Sequence, residues 1–294
     1  MVIRTCLARS PSIPINAIRG DGQLPRDDIP LLAPGGTIFL WEPFIGLAGN
    51  TSGPDFMNEA FSANPQLRPL SDAVTLHGYN AYPPSSEPEN AGLESGTTNV
   101  QLGDKIAKMK AAFTANGAAP SKPVWLTEIG RPTFGFVDEE LQARWLIRSI
   151  VLAALDGVDR MYIYKMYDGT SASPEDHFGL VGQDRKAKKK AYVAIQRFMQ
   201  ELGSLRVQSR IPAHDVRNSA YIVQLADGSG PQAWVVWDSA SDHGGNFYRW
   251  KLPANTSCEG MFGEPCAFSP NGELEATAEP VYVVATPRLT QGPR

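Results

Sequence analysis

Glu128 closes the apolar run Val124-Trp125-Leu126-Thr127 and is followed at once by Ile129-Gly130-Arg131-Pro132. A carboxylate at the end of such a strand projects into whatever pocket the strand ends surround, and Gly130 leaves the backbone room beside it. The competing reading is a solvent-facing loop glutamate. Three other short apolar runs finish in reactive or aromatic residues: Thr37 to Trp41 in Glu42, Asp72 to Leu76 in His77-Gly78-Tyr79, and Met161 to Tyr164 in Lys165-Met166-Tyr167-Asp168. Carboxylates, an imidazole and phenols on one rim suit sugar chemistry, because planar rings stack on sugar faces and carboxyl groups serve as acid, base or nucleophile. His77 also reads as a satisfied core histidine, and strand alternation must put some of these tyrosines inside. Pro174-Glu175-Asp176-His177 reads as a loop of solvated charges.

Other chemistries lack their patterns. The 4 histidines, His77, His177, His214 and His243, show no metal-ligand spacing, and there is no Cys-x-x-Cys. No phosphate loop or dinucleotide fingerprint follows a strand, and no Gly-x-Ser-x-Gly elbow is present. Neither a metal nor a cofactor is expected.

The elements that must position these residues follow from periodicity. The four apolar runs alternate with helical stretches at about Val100 to Asn116, Asp138 to Leu155 and Lys186 to Leu202, besides a short one opened by Pro54-Asp55-Phe56-Met57. Parallel strands need long crossovers, so this alternation predicts an α/β layer or barrel over residues 37–203. The segment from Asp138 is apolar nearly all round, which predicts a deeply buried helix. The lysines of Lys186 to Lys190 read as a solvated helix face. Residues 1–36 carry five prolines and no sustained pattern, so they read as an irregular N-terminal segment.

After Gly203 the period becomes two, with turn clusters at Asp227-Gly228, Asp242 to Gly245 and Asn271-Gly272, predicting an antiparallel β-sandwich domain over 204–294. Trp234 and Trp237, three residues apart on one strand, must face opposite sides. Cys258 and Cys266 either close a small loop or stay free, with Cys6 left over. Over the 294 residues 27 Lys+Arg stand against 31 Asp+Glu, a net charge of -4 that gives nucleic acid and anionic membranes no reason to bind. No apolar run reaches the length of a membrane span, and Met1 to Gly20 lacks the apolar stretch of a signal peptide.

Four segments taken together carry a resemblance: Asp72-Ala-Val-Thr-Leu-His77-Gly-Tyr79; Pro123-Val-Trp-Leu-Thr-Glu128-Ile-Gly130; Tyr162-Ile-Tyr164-Lys-Met-Tyr167-Asp168; and His177-Phe-Gly-Leu-Val ahead of a lysine-rich helix with Ala191-Tyr192. Over residues 37–203 the chain resembles the second half of a clan A glycoside hydrolase, most nearly the family 39-like enzymes acting on xylosides and bacterial exopolysaccharides. The resemblance implies a (β/α) TIM-type barrel, here incomplete with strands 5 to 8, followed by the accessory β-sandwich. It implies retaining hydrolysis of O-glycosidic bonds in a polysaccharide or oligosaccharide, with Glu128 as nucleophile. His77 and Tyr79 would line the sugar subsite and hold Glu128 ionised. Trp125, Tyr164 and Tyr167 join them as substrate-binding candidates. Members of the family are usually extracellular or periplasmic.

Retention needs a second carboxyl group, which the family carries in Asn-Glu at the end of strand 4. Trp41-Glu42-Pro43 and Asn58-Glu59 are the two places that resemble it. Glu42 lies 35 residues before His77, whereas two βα units would take roughly 50 to 60. Glu42 therefore reads better as the end of strand 5, and stays the weaker candidate for acid/base; Glu59 falls in the short helix. A complete barrel takes roughly 250 residues, fewer than the 294 present, but four βα units already occupy 37–203. The chain is thus expected to be the C-terminal portion of a longer enzyme, with an open barrel edge that a partner chain would cover. The alternative is a non-catalytic carbohydrate-binding or structural fragment.

Overall fold

The computed structural model describes residues 58, 61–63, 65, 73–79, 101–117, 122–213, 219–228, 231–240 and 247–285, and the backbone of 32–37. Four strands, β1 (Leu32–Thr37), β2 (Ala73–His77), β3 (Val124–Ile129) and β4 (Arg160–Ile163), form one sheet in the order β1-β2-β3-β4. Every pairing in it is parallel. Helix α1 (Leu102–Ala115) connects β2 to β3, α2 (Glu139–Leu155) connects β3 to β4, and α3 (Lys190–Leu202) follows β4. The expected alternation is therefore present, with all the strand C-termini at one end of the sheet.

Local chemistry explains the boundaries. The Asp138 carboxylate accepts a 2.8 Å hydrogen bond from the Leu141 amide and so caps α2. Gly117 (φ +83°) and Gly157 (φ +75°) stop α1 and α2 in the left-handed conformation that a side chain would resist. Two expectations shift. The described part of the first strand covers Leu-Ala-Pro-Gly-Gly-Thr, so it begins inside the segment read as irregular, while residues 38–41 of the expected run lie outside the described residues. Its register against β2 slips between Ala33 and Gly36, where Pro34 has no amide to donate. Residues 38–57, with Trp41 and Glu42, lie outside the described residues, as does Glu59.

The second shift concerns the lysines. α3 begins at Lys190, not Lys186, because the Asp184 carboxylate accepts hydrogen bonds from the amides of Lys186 and Ala187 and turns the chain first. Lys186, Lys188 and Lys190 are exposed, but Lys189 is buried against Asp168, so the run is not uniformly a solvated face.

The remainder is antiparallel. Strands β5 (Arg206–Ile211), β6 (Ala220–Ala226), β7 (Pro231–Asp238), β9 (Thr256–Gly260) and β11 (Val281–Ala285) form a sheet ordered β5-β6-β7-β11-β9, while β8 (Tyr248–Trp250) pairs with β10 (Leu274–Ala276). The edge strands β5 (RVQSRI) and β9 (TSCEG) are too polar to stand out by alternation, which suits unpaired edges in water. On β6 and β7, Tyr221, Val223, Leu225, Ala233, Val235 and Trp237 face the helices and share one core with Trp145, Ile147, Val151 and Phe198. Ile222, Trp234 and Val236 face the other way and pack with Leu274 and Ala276 of the two-stranded pair. Trp234 and Trp237 thus take opposite faces, both buried.

This layering accounts for α2. It lies between the parallel and the antiparallel sheet, so most of its apolar positions, and even Gln142, Arg148 and Ser149, are buried. Cys258 and Cys266 form a disulfide with Cα atoms 5.9 Å apart. Among the described residues no helix is long and apolar enough to cross a membrane.

Candidate active site

The direction in which Glu128 points depends on one extra residue. Val74 and Leu76 of β2 and Val124 and Leu126 of β3 face the helices, in the core with Leu102, Ile106 and Met109 of α1. Strict alternation from Leu126 would send Glu128 to that same side. Instead Leu76 aligns with Leu126 and His77 with Glu128, so Thr127 is a bulge that the Thr127 hydroxyl braces against the Leu76 carbonyl at 3.3 Å. A bulge turns the following side chain to the other face, and here it sets Glu128 beside His77. The Gly78 amide then donates to the Glu128 carbonyl at 2.7 Å, tying the two strand ends together.

Tyr79 Oη donates a 3.0 Å hydrogen bond to Glu128 Oε2, and His77 Nδ1 lies 3.6 Å from the same oxygen. Burial pulls the His77 pKa below its ordinary value against the opposing pull of Glu128, so at neutral pH this contact is one with a neutral imidazole. Burial first, then the Glu128 charge and hydrogen bond, push the Tyr79 phenol far above its ordinary pKa, so it remains a donor. The side chain of Glu128 is 39% exposed, and both of these contacts fall on Oε2. Among the described residues no hydrogen bond or ion pair falls on Oε1.

Rings brace this arrangement. Tyr79 stands edge-on to His77 and to Tyr164, each at 6.2 Å between centroids, and to the buried Phe178 at 5.8 Å; Phe178 meets Tyr164 at 5.6 Å. Gly130 permits the approach: a Cβ there would lie 2.1 Å from the Tyr164 carbonyl oxygen and 2.8 Å from the Phe178 ring. The peptide joining Tyr164 to Lys165 is cis.

A second carboxylate reaches the same cluster. Tyr164 Oη donates a 2.5 Å hydrogen bond to Glu175 Oε1, from the short 3-10 helix Pro174–His177 that Ser173 caps. Burial and this bond raise the Tyr164 pKa well beyond its ordinary value. The Glu175 loop is held from below, where Lys189 Nζ binds both Asp168 oxygens at 2.9 and 3.0 Å and the His177 carbonyl at 3.2 Å, and Asp168 also accepts from the Gly179 amide at 2.7 Å.

The structure thus brings together Glu128, His77, Tyr79 and Tyr164. Trp125 shares their face but lies one layer deeper, nearly buried, with Arg160 4.6 Å above its ring and Tyr162 beside it at 6.2 Å. Tyr167 is exposed with Arg185 5.3 Å over its ring, and no contact joins it to the cluster among the described residues. Sequence reasoning treated Glu175 as a solvated loop charge and gave Phe178 no role. The sequence hint for Glu175 is the Ser173-Pro174 helix start just past a strand end, which shows a placed loop but not its partner. Among the described residues no group of three or more His, Cys, Asp or Glu could hold a metal ion.

No family model matches the chain, and no curated protein matches it by sequence. Among solved structures it is similar to a family 39 glycoside hydrolase from the gut symbiont Bacteroides cellulosilyticus WH2, with 19% identity and a TM-score of 0.63, over 81% of this chain and 49% of that one. Weaker likenesses are to a 4-O-alpha-L-rhamnosyl-beta-D-glucuronidase from Fusarium oxysporum 12S (13% identity, TM-score 0.48, 76% and 56% covered) and a family 39 enzyme from Xanthomonas axonopodis pv. citri (14%, 0.40, 78% and 57%). The first shows a glycoside hydrolase-like, TIM-like α/β fold, and the chain spans about half the length of that enzyme.

Proposed function

We propose that this chain carries the nucleophile half of a family 39-like retaining glycosidase acting on an oligosaccharide or polysaccharide. The observation that carries the reading is the Tyr79 to Glu128 hydrogen bond at the mouth of the strand ends, with neutral His77 on the same oxygen. The Tyr79 hydroxyl donates to Oε2 and fixes the carboxylate's orientation, while the imidazole stands 3.6 Å from the same oxygen without adding a charge, an arrangement that suits a nucleophile. Glu128 Oε1 then attacks the anomeric carbon as the glycosidic oxygen departs. The glycosyl ester that results is hydrolysed by water, restoring Glu128.

Departure of that oxygen needs a proton from a second carboxyl group about 5 to 5.5 Å from the nucleophile. Glu175 is already engaged, accepting the Tyr164 hydroxyl on Oε1. It suits recognition of sugar hydroxyls instead, with Tyr164 as its companion. The acid/base is therefore assigned to Glu42 or to βα units outside this chain, and Trp125 and Tyr167 to supporting the sugar site from below and from its rim. Completion of the barrel by a partner chain or by further sequence belongs to the same proposal. A carbohydrate-binding chain without turnover is the second reading, favoured by the Tyr164 to Glu175 bond, which suits holding sugar hydroxyls.

An activated 2-fluoro glycoside panel followed by peptide mass mapping tests the nucleophile. Such reagents carry their own leaving group and need less acid assistance, so a half-site can still be trapped. One adduct on the Glu128 peptide, abolished by Glu128→Gln, is expected. Binding of the same sugars by wild type with no adduct on any of them supports the second reading and removes the first.

A further inference from the structure

We propose that Lys105 is a positioning residue that sets the Glu128 carboxylate through Tyr79. Lys105 sits in the first turn of α1 and is 2% exposed, among Leu102, Ile106 and Met109 of the same helix face. A leucine or methionine would pack there without the cost of taking an ammonium out of water. What the lysine adds is a donor: Nζ gives a 2.5 Å hydrogen bond to the Tyr79 carbonyl oxygen, and charged donors make stronger bonds than neutral ones. Burial draws its pKa down to about 8, which still leaves it charged at neutral pH.

The segment this bond holds is short and leaves the sheet at its top. His77 ends β2, and the Gly78 amide is fastened to the Glu128 carbonyl. One residue later the backbone is fastened again, by Lys105, and the ring between these points delivers its hydroxyl to Glu128 Oε2 at 3.0 Å. Two hydrogen bonds thus run from a buried cation on α1, through Tyr79, to the carboxylate. Without the first, the Tyr79 carbonyl loses its charged donor and the hydroxyl loses aim.

The inference rests on the nucleophile reading for its consequence but not for its geometry, and the test separates the two. Full-length chain is prepared with 3-fluorotyrosine, and the Tyr79 fluorine resonance is identified by its loss in Tyr79→Phe. In Lys105→Met this resonance should move at pH 7, where wild-type Lys105 is charged, as the hydroxyl's hydrogen bond to Glu128 is lost. Lys105→Arg, which keeps a charged donor, should restore most of the wild-type behaviour. On the proposed reading, the rate of Glu128 capture by the 2-fluoro glycoside should also fall about tenfold in Lys105→Met while the half-saturating concentration stays within about twofold, since aim is lost and not sugar contact. If Lys105→Met does not fold, Lys105→Gln takes its place, with the same shift expected from its shorter reach. A Tyr79 resonance unchanged in the folded variant overturns the positioning role. Absence of capture in wild type, with the resonance moved in the variant, overturns the nucleophile role and leaves the Lys105 to Tyr79 link standing.

Discussion

Replacing Lys189 with methionine should unfold the loop that carries Glu175 more readily than any surface change nearby. The side chains of Lys189 and Asp168 are 6% and 14% exposed, and the ammonium supplies two of the three hydrogen bonds described for the Asp168 carboxylate. Lys189→Met leaves that carboxylate buried with the Gly179 amide alone. Removing one partner of a buried pair typically costs about 3–5 kcal/mol. An upper bound comes from neutralising the orphan instead: protonating an ordinary carboxyl of pKa about 3.9 at pH 7 costs about 4 kcal/mol. The partial exposure of Asp168 admits some water, so about 3 kcal/mol is expected. Urea unfolding followed by tryptophan fluorescence measures it, as a midpoint lowered by about 1 M if the slope is near 3 kcal/mol per M. Two controls identify the cause. Lys189→Met with Asp168→Leu should recover most of the loss, and acidification that protonates the orphan should shrink the deficit. A deficit below about 1 kcal/mol, or one equally large in the double variant, refutes the reasoning.

Gly130→Ala forces a methyl group to within 2.1 Å of the Tyr164 carbonyl oxygen, so strand β4 must yield; a loss of about 1–3 kcal/mol and weaker sugar binding are expected, and an unchanged melting temperature would count against the packing described. Reducing the Cys258 to Cys266 bridge, which spans 8 residues, should cost about 2–3 kcal/mol, read as a lower melting temperature in reductant that a Cys258→Ser, Cys266→Ser variant shows without it. Lys105 has its folded pKa lowered to about 8 from 10.5, so between those values the unfolded chain holds the proton that the folded chain has lost. Stability should therefore rise with pH across that window, by on the order of 2 kcal/mol up to pH 9.5, and Lys105→Met should flatten the rise. Tyr79, whose pKa is raised, contributes its stability in full below pH 10 and opposes the trend only above it. A wild-type profile as flat as the variant's in urea midpoints from pH 7.5 to 9.5 would remove the lysine's role in it.

Much of the fold was legible because it is written in short-range periods. Ala73–His77, Val124–Ile129 and Arg160–Ile163 lie within a residue or two of the runs expected, and Asp138, Asn116-Gly117 and Asp156-Gly157 bound their helices as capping chemistry requires. The misses have local causes of a different kind. β1 is built from Leu-Ala-Pro-Gly-Gly-Thr, whose composition argues against a strand, and it is ordered by pairing with β2. β5 and β9 are polar edges with little alternation to read. The lysine run looked solvated because its charge was read on an ideal helix, whereas the Asp184 turn delays that helix and turns Lys189 inward.

By itself the sequence determined which residues end the strands, that the strands run parallel, and hence that Glu128, His77, Tyr79 and Tyr164 belong to one rim. Those conclusions need only a period and a connection length. Tertiary structure alone decided that Glu128 faces His77 and not the helices, because a bulge at Thr127 is visible only in the register between two strands. It likewise decided that Glu175 partners Tyr164 and that Lys105 holds Tyr79, contacts that join a strand end to a separate loop or helix. Such pairings are set by how layers close over one another, and no local pattern in the chain encodes the distance between them.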